Sequence, residues 1–194
     1  MSDEARPARG ASALPVGAYR VDPVHTFAAF SVKHMIVGRV DGRFNTIAGT
    51  FVVSDDPDRR FDLIEVSLDA ASIDTQVEAR DQDLRSARFF DTAVFPNLTF
   101  RGRGAERSDE DGLVVSGDLT IRDAVQTVSF DFAVRGATLD AHGRTRMGAT
   151  ATTALSRRDF GLSTELEQES GDSDEPDVHV RLDIEAVLEP EDPQ

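Results

Sequence analysis

The chain has 194 residues, enough for one domain with a sizeable core. It contains no Cys, which excludes a disulfide framework, a thiolate metal site and a cysteine nucleophile. Thirty-six acidic against twenty-one basic residues give a net charge of −15, a balance that argues against binding nucleic acid or an anionic membrane surface.

Residues 1–17 are polar and rich in Pro, Gly and Ala, without the apolar run of a signal peptide. They read as a flexible lead. No stretch offers eighteen consecutive apolar residues, so the expectation is a soluble, cytoplasmic protein without stable membrane insertion. From Tyr19 onward the pattern alternates with period two, the mark of strands with one dry face. Strands are expected over about 18–22, 26–36, 40–53, 61–71, 97–106, 112–122, 125–136, 145–155 and 178–188. In "VSFDFAV" (128–134), Val128, Phe130, Phe132 and Val134 share one side. "VHVRLDIEAVL" (178–188) puts Val178, Val180, Leu182, Ile184, Ala186 and Leu188 on one face, and Leu113, Val115, Gly117, Leu119 and Ile121 form another. Turns are expected at 54–58, 108–112, 140–143 and in the acidic run 170–177.

One stretch breaks the rhythm. "TQVEARDQDLRSARFFD" (75–91) has helical composition, and the spacing of Leu84, Ala87 and Phe90 predicts a short helix ending at Phe89 and Phe90, before Pro96 turns the chain into the next strand. The fold class is therefore all-β and antiparallel, one domain over 18–189 with an acidic tail at 190–194. So many hairpins must close into a barrel or stack as a sandwich.

The ordered motifs "YRVDPVHTF" (19–27), "FSVKH" (30–34), "VDGRF" (40–44), "SIDT" (72–75), "RDQDLRS" (80–86), "FFD" (89–91), "FP" (95–96), "GDLTI" (117–121) and "RRDFGL" (157–162) resemble the YceI-like family. The resemblance implies a closed, lipocalin-like antiparallel barrel of about eight strands, one end capped by a short helix. It also implies a non-enzymatic binder or carrier of a polyisoprenoid or similar long-chain lipid. The residues assigned to such a ligand are Phe30, Val32, His34, Phe44, Phe51, Phe89, Phe90, Phe95, Phe100, Phe130, Phe132 and Phe160. Here Thr26 stands where the family usually has Ser, and "DAVQT" (123–127) replaces a turn that often contains Gly.

Apolar stripes of this kind also fill ordinary cores, so an interaction module with a filled barrel stays open. A hydrolase acting through Asp22, His25 and Thr26, which mimic parts of a hydroxyl–His–Asp set, is the other alternative. No cofactor or metal is expected: the four His show no helical zinc spacing, and "GDSDEPD" lacks the positions of a calcium loop. Arg80, Asp81, Arg85, Asp91, Arg157 and Asp159 either hold the helix and the "RRDFG" loop on the barrel or offer cationic contact to a phosphate head group. A homodimer is left open by barrel edges and a Phe-rich mouth.

Overall fold

The computed structural model of the chain describes residues 14–34, 38–56, 60–102, 104–107, 112–162 and 176–190, the side chains of His34 and Arg107 excepted. Strands β1 (Gly17–Val21), β2 (Phe27–His34), β3 (Gly38–Phe44), β4 (Ile47–Val53) and β5 (Phe61–Asp69) come first. A 3-10 turn (Ala70–Ser72), the short β6 (Ile73–Asp74) and helix α1 (Glu78–Arg85) follow. Then come β7 (Asn97–Gly102), β8 (Glu106–Arg107), β9 (Leu113–Ile121), β10 (Ala124–Leu139) and β11 (Thr145–Leu155). A second 3-10 turn (Arg157–Phe160) precedes β12 (Val178–Leu188).

The ring β1-β4-β5-β7-β9-β10-β11-β12 closes because β12 pairs back onto β1, giving a closed eight-stranded antiparallel barrel. Closure removes the unpaired edges that an open sheet of this size would present. Two of its walls are made of paired segments. β12 pairs with β1 through Ala186–Leu188 and with β2 through Val178–Asp183, so β1 and β2 act as one wall bent at Asp22–Thr26. The buried Thr26 hydroxyl spans that bend, donating to the Glu185 carbonyl at 3.0 Å and accepting the Glu185 N–H at 3.1 Å.

The single strand expected over 40–53 is likewise broken, into β3 and β4. Asn45 N–H donates to the Ser72 carbonyl and Thr46 N–H to Ser72 Oγ, both at 3.1 Å. Those bonds pin the chain to the 3-10 turn and let β3 follow β2 while β4 follows β1.

The helix also ends earlier than its composition suggests, at Arg85 rather than at Phe89 and Phe90. Ser86 Oγ donates to the Asp83 carbonyl, and Phe90 N–H reaches back to the Leu84 carbonyl, a closing bond that satisfies an orphan carbonyl of the last turn. Phe89 and Phe90 therefore lie in the turn that follows. The β9–β10 turn falls at Arg122 and Asp123, one residue earlier than expected.

Inward residues gather in two packed clusters. One holds Tyr19, Phe51, Phe61, Phe132 and Met147, with Leu14 tucked against it from the stretch read as a lead. The other holds Phe44, Ile47, Ile73, Leu98, Ile121 and Phe160 at the end crossed by α1 and the second 3-10 turn. The readings for residues 1–13 and 191–194, for the turn at 108–111 and for the acidic run at 170–175 lie outside the described residues.

Candidate functional site: the barrel interior

Strand parity aims Ala28, Phe30 and Val32 of β2 inward, opposite Leu182, Val180 and Val178 of β12 and Phe44, Gly42 and Val40 of β3. The rings assigned to a ligand sort into three groups. Phe30, Phe44 and Phe90 are neighbours at the α1 end, with centroids 5.7 Å apart for Phe30–Phe44 and 5.9 Å for the edge-on Phe44–Phe90 pair. Phe100 and Phe130 meet edge-on at 5.2 Å across the middle. Phe51 and Phe132 belong to the opposite end, where Tyr19 stacks on Phe51 at 5.2 Å and Phe61 bridges Phe51 to Phe132 at 5.9 and 5.6 Å. That dense aromatic stack closes the far end of the barrel.

Phe160 is buried in the second 3-10 turn, while Phe89 and Phe95 are half-buried in the loop after α1. His34 continues β2 beyond Val32 at the same strand parity, but its side chain is outside the described residues.

Between the two clusters runs a belt of inward residues that neither packs away. Val66, Leu119, Val128 and Leu182 each touch both clusters and still keep accessible surface. Partial exposure of residues set between two buried groups is what an adjoining space in the lumen would produce. Beyond Phe30 the row Val40–Val32–Val178–Leu155 crosses β3, β2, β12 and β11 in register. These four are partly buried and belong to neither cluster, so they form an apolar lip. Parity alone marks Leu119, Val128, Val178 and Leu182 as inward, but the ligand set expected from the sequence is mostly Phe and leaves them out. Their incomplete burial depends on what faces them across the barrel.

Small residues shape the walls around two of the rings. A Cβ on Gly42 would sit 2.4 Å from Phe30 Cζ. A Cβ on Gly117 would meet the Arg101 carbonyl oxygen at 2.4 Å and Phe100 Cζ at 2.7 Å. Rings lying over glycines widen the lumen by moving aromatic bulk onto the wall.

Of the charged set near the capped end, Arg80, Asp81, Arg85 and Arg157 make framework bonds through their side chains. Arg80 donates to Thr75 Oγ1 and to the Thr75 carbonyl, while buried Asp81 accepts from the Thr75 N–H and hydroxyl at 2.9 and 2.6 Å. Arg85 donates to the carbonyls of Ala71 and Ile73, and Arg157 pairs with Asp177 at 2.5 Å. Asp91 takes a left-handed turn at φ 48°, and the Asp159 carbonyl accepts from Gln126. These bonds fasten the two caps to the barrel.

Asp22, His25 and Thr26 lie on the outer wall bend. His25 Nδ1 is 3.0 Å from Asp22 Oδ2, but both hydrogen-bonding roles of the Thr26 hydroxyl are taken by the Glu185 backbone, which leaves it no proton to hand to His25. Asp22, His25 and Glu185 bring donor atoms within 4.8 Å of one another. The centre of that group already holds a cation: Arg146 Nη1 is 2.6 Å from both Asp22 and Glu185, and its Nε is 3.1 Å from Asp140. Arg146, then His25, holds the Asp22 carboxyl well below the usual carboxylate range. The Arg144 N–H, with Arg146 and the His142 N–H, does the same for Asp140. Among the described residues no helix is long and apolar enough to cross a membrane.

The YceI-like domain model matches residues 19–186. Protein YceI of Escherichia coli is 31% identical over 150 residues, covering 76% of this chain and 78% of that protein. A UPF0312 protein of Shewanella baltica is 31% identical over 182 residues, 90% of this chain and 91% of its own. Among solved structures, a polyisoprenoid binding domain from Saccharophagus degradans superposes with TM-score 0.67 at 15% identity, covering 90% of this chain and all of that one. Burkholderia cenocepacia BcnA gives 0.68 at 19% identity, covering 87% of this chain and 99% of its own. At these identities the structural likeness speaks to the barrel alone. The family model and the curated relatives, each covering most of the chain, establish that it belongs to the YceI-like family.

Proposed function

We propose that the protein binds one elongated apolar molecule, a polyisoprenoid or similar long-chain lipid, inside the barrel and carries it without transforming it. The observation that supports this most is the accessible belt Val66, Leu119, Val128 and Leu182, held between two packed clusters and continued outward by the lip at Val32 and Val178. The Saccharophagus neighbour, described as a polyisoprenoid binding domain, is consistent with it. Of the ring set, Phe30, Phe44, Phe90, Phe100 and Phe130 stand nearest to the belt and the capped end, whereas Phe51 and Phe132 serve as floor.

The affinity has a simple source. At about 0.8 kcal/mol per buried carbon, the five carbons of one isoprene unit contribute about 4 kcal/mol gross before ordering costs. A few units suffice without directional contacts. The carrier reading is further supported by the commitment of the Thr26 hydroxyl to Glu185, which removes the nucleophile from the Asp22–His25 pair.

Organic extraction of the purified protein followed by mass spectrometry tests the proposal, with fluorescent prenyl and acyl chains titrated into the stripped protein. The expected result is a co-purifying long-chain lipid, or saturable binding of an added chain. Absence of both would overturn it.

A further inference from the structure

One strand edge is left open beside the barrel mouth. β3 pairs with β2 along its whole length, but on its other side only Arg43 and Phe44 have partners, Asp74 and Ile73 of β6. Among the described residues no strand pairs with Gly38–Gly42 on that side. The stretch contains no Pro, and its pairing with β2 runs without a bulge, so two common ways of blunting an edge are missing. The unpaired N–H and C=O groups of such a strand are a template for a further strand.

The charges along the edge select that strand. Arg39 and Asp41 stand exposed on the outer face, and among the described residues neither has an ion-pair partner, whereas Arg43 on the same face pairs with Asp74. On its β2 side Arg39 lies opposite Lys33, a like charge. The open stretch has Val40 at its midpoint. A second copy laid antiparallel about a two-fold axis at Val40 uses all of it, and that register sets Arg39 opposite the partner's Asp41 and Asp41 opposite the partner's Arg39. Gly42, where Phe30 and Thr75 already fill the inner face, then meets the partner's Gly38, which adds no side chain.

We propose that the β3 edge is a self-association surface, through which two copies join antiparallel along Gly38–Gly42. The contact is isologous, as a two-fold axis requires. Opposed residues of an antiparallel pair point to the same face, so Val40 meets the partner's Val40 on the lumen side. The apolar lip Val40–Val32–Val178–Leu155 of one mouth thereby continues into the lip of the other. A ladder this short buries less than the about 1,000 Å² of a stable interface, which makes the association weak and concentration-dependent.

Sedimentation velocity of the full chain at rising concentration tests this, with Arg39→Asp, Asp41→Arg and the double reversal. The wild type should pass from monomer to dimer. Each single reversal sets like charges opposite each other twice and should weaken the dimer by about tenfold or more, even though Asp41→Arg lowers the net negative charge. The double reversal remakes both pairs and should return the wild-type affinity. Because the chain has no Cys, Val40→Cys gives a second readout: a cysteine on the axis should oxidise to a linked dimer, while the exposed Val125→Cys should stay largely monomeric. A chain that stays monomeric throughout, with Val40→Cys linking no faster than Val125→Cys, would overturn the inference. So would a dimer that the single reversals leave unchanged. Either result leaves the lipid-binding proposal standing.

Discussion

Val128→Phe distinguishes a hollow barrel from a filled one by the sign of its effect. Val128 points inward from β10, lies opposite Gly117 on β9, and touches both clusters without being buried. The substitution adds four carbons. If they enter an existing space, their transfer from water is worth about 3 kcal/mol gross at about 0.8 kcal/mol per carbon. Fixing the ring costs about 1 kcal/mol, and imperfect contacts take about as much again. The net is a stability unchanged or raised by about 1 kcal/mol. Ala149→Leu, three carbons added at an inward position of β11 with no exposed surface, is the matched control and should cost about 1–3 kcal/mol. The same ring occupies the room of about one isoprene unit, so affinity for a long prenyl chain should fall by about 30-fold, near 2 kcal/mol. Urea denaturation with both proteins stripped of lipid, followed by ligand titration, reads both effects. A Val128→Phe chain destabilised as much as Ala149→Leu would refute the hollow belt.

Phe90→Ala should lower stability by about 2 kcal/mol, less than a fully buried ring because Phe90 is half-buried with one edge contact, and should shorten lipid residence time in a dilution assay. Loss of stability without any change in lipid release would make Phe90 simple packing. Gly117→Ala should cost about 3 kcal/mol, since its Cβ meets the Arg101 carbonyl, which cannot turn aside as a side chain does; chemical denaturation measures this. The Arg146 cluster sets an acid limit. Asp22 and Asp140 have depressed folded-state values, so their contribution is complete above the unfolded carboxylate range near pH 4 and is lost as pH falls through the lower folded values. Arg146→Met should lower the thermal midpoint at pH 7 and flatten its decline between about pH 4 and 2, because Asp22 and Asp140 then titrate nearer their unfolded values.

β11 and β12 occupy the residues their alternation marks, 145–155 and 178–188, because each keeps period two without interruption and pairs along its whole length with a neighbour. The break at Asn45–Thr46 leaves one trace in the sequence, a flip of inward parity from Val40, Gly42 and Phe44 to Ile47, Phe51 and Val53. Its cause is Ser72, brought in by tertiary packing, which the sequence does not show. The helix boundary misled for a related reason: Ala87 and Phe90 keep helical spacing from Leu84, but Ser86 caps the chain first.

Within the site, parity located the inward faces but could not tell a packed ring from a lining one. Phe132 and Phe30 look alike in the sequence. One packs edge-on against Phe61 in the floor, and the other lies over Gly42 beside the lip. The contact of Arg122 with Phe95 was equally invisible, since that ring arrives from another part of the chain.

The most direct test of an apolar chain held lengthwise in the barrel is a calorimetric titration of stripped protein with prenyl alcohols of ten, fifteen, twenty and more carbons. Affinity should rise with each isoprene unit until the lumen from the Tyr19–Phe51 floor to the Val32–Val178 lip is full, then level off, with the level reached one unit earlier in Val128→Phe. Affinity that is absent, or that does not change with chain length, would contradict the account.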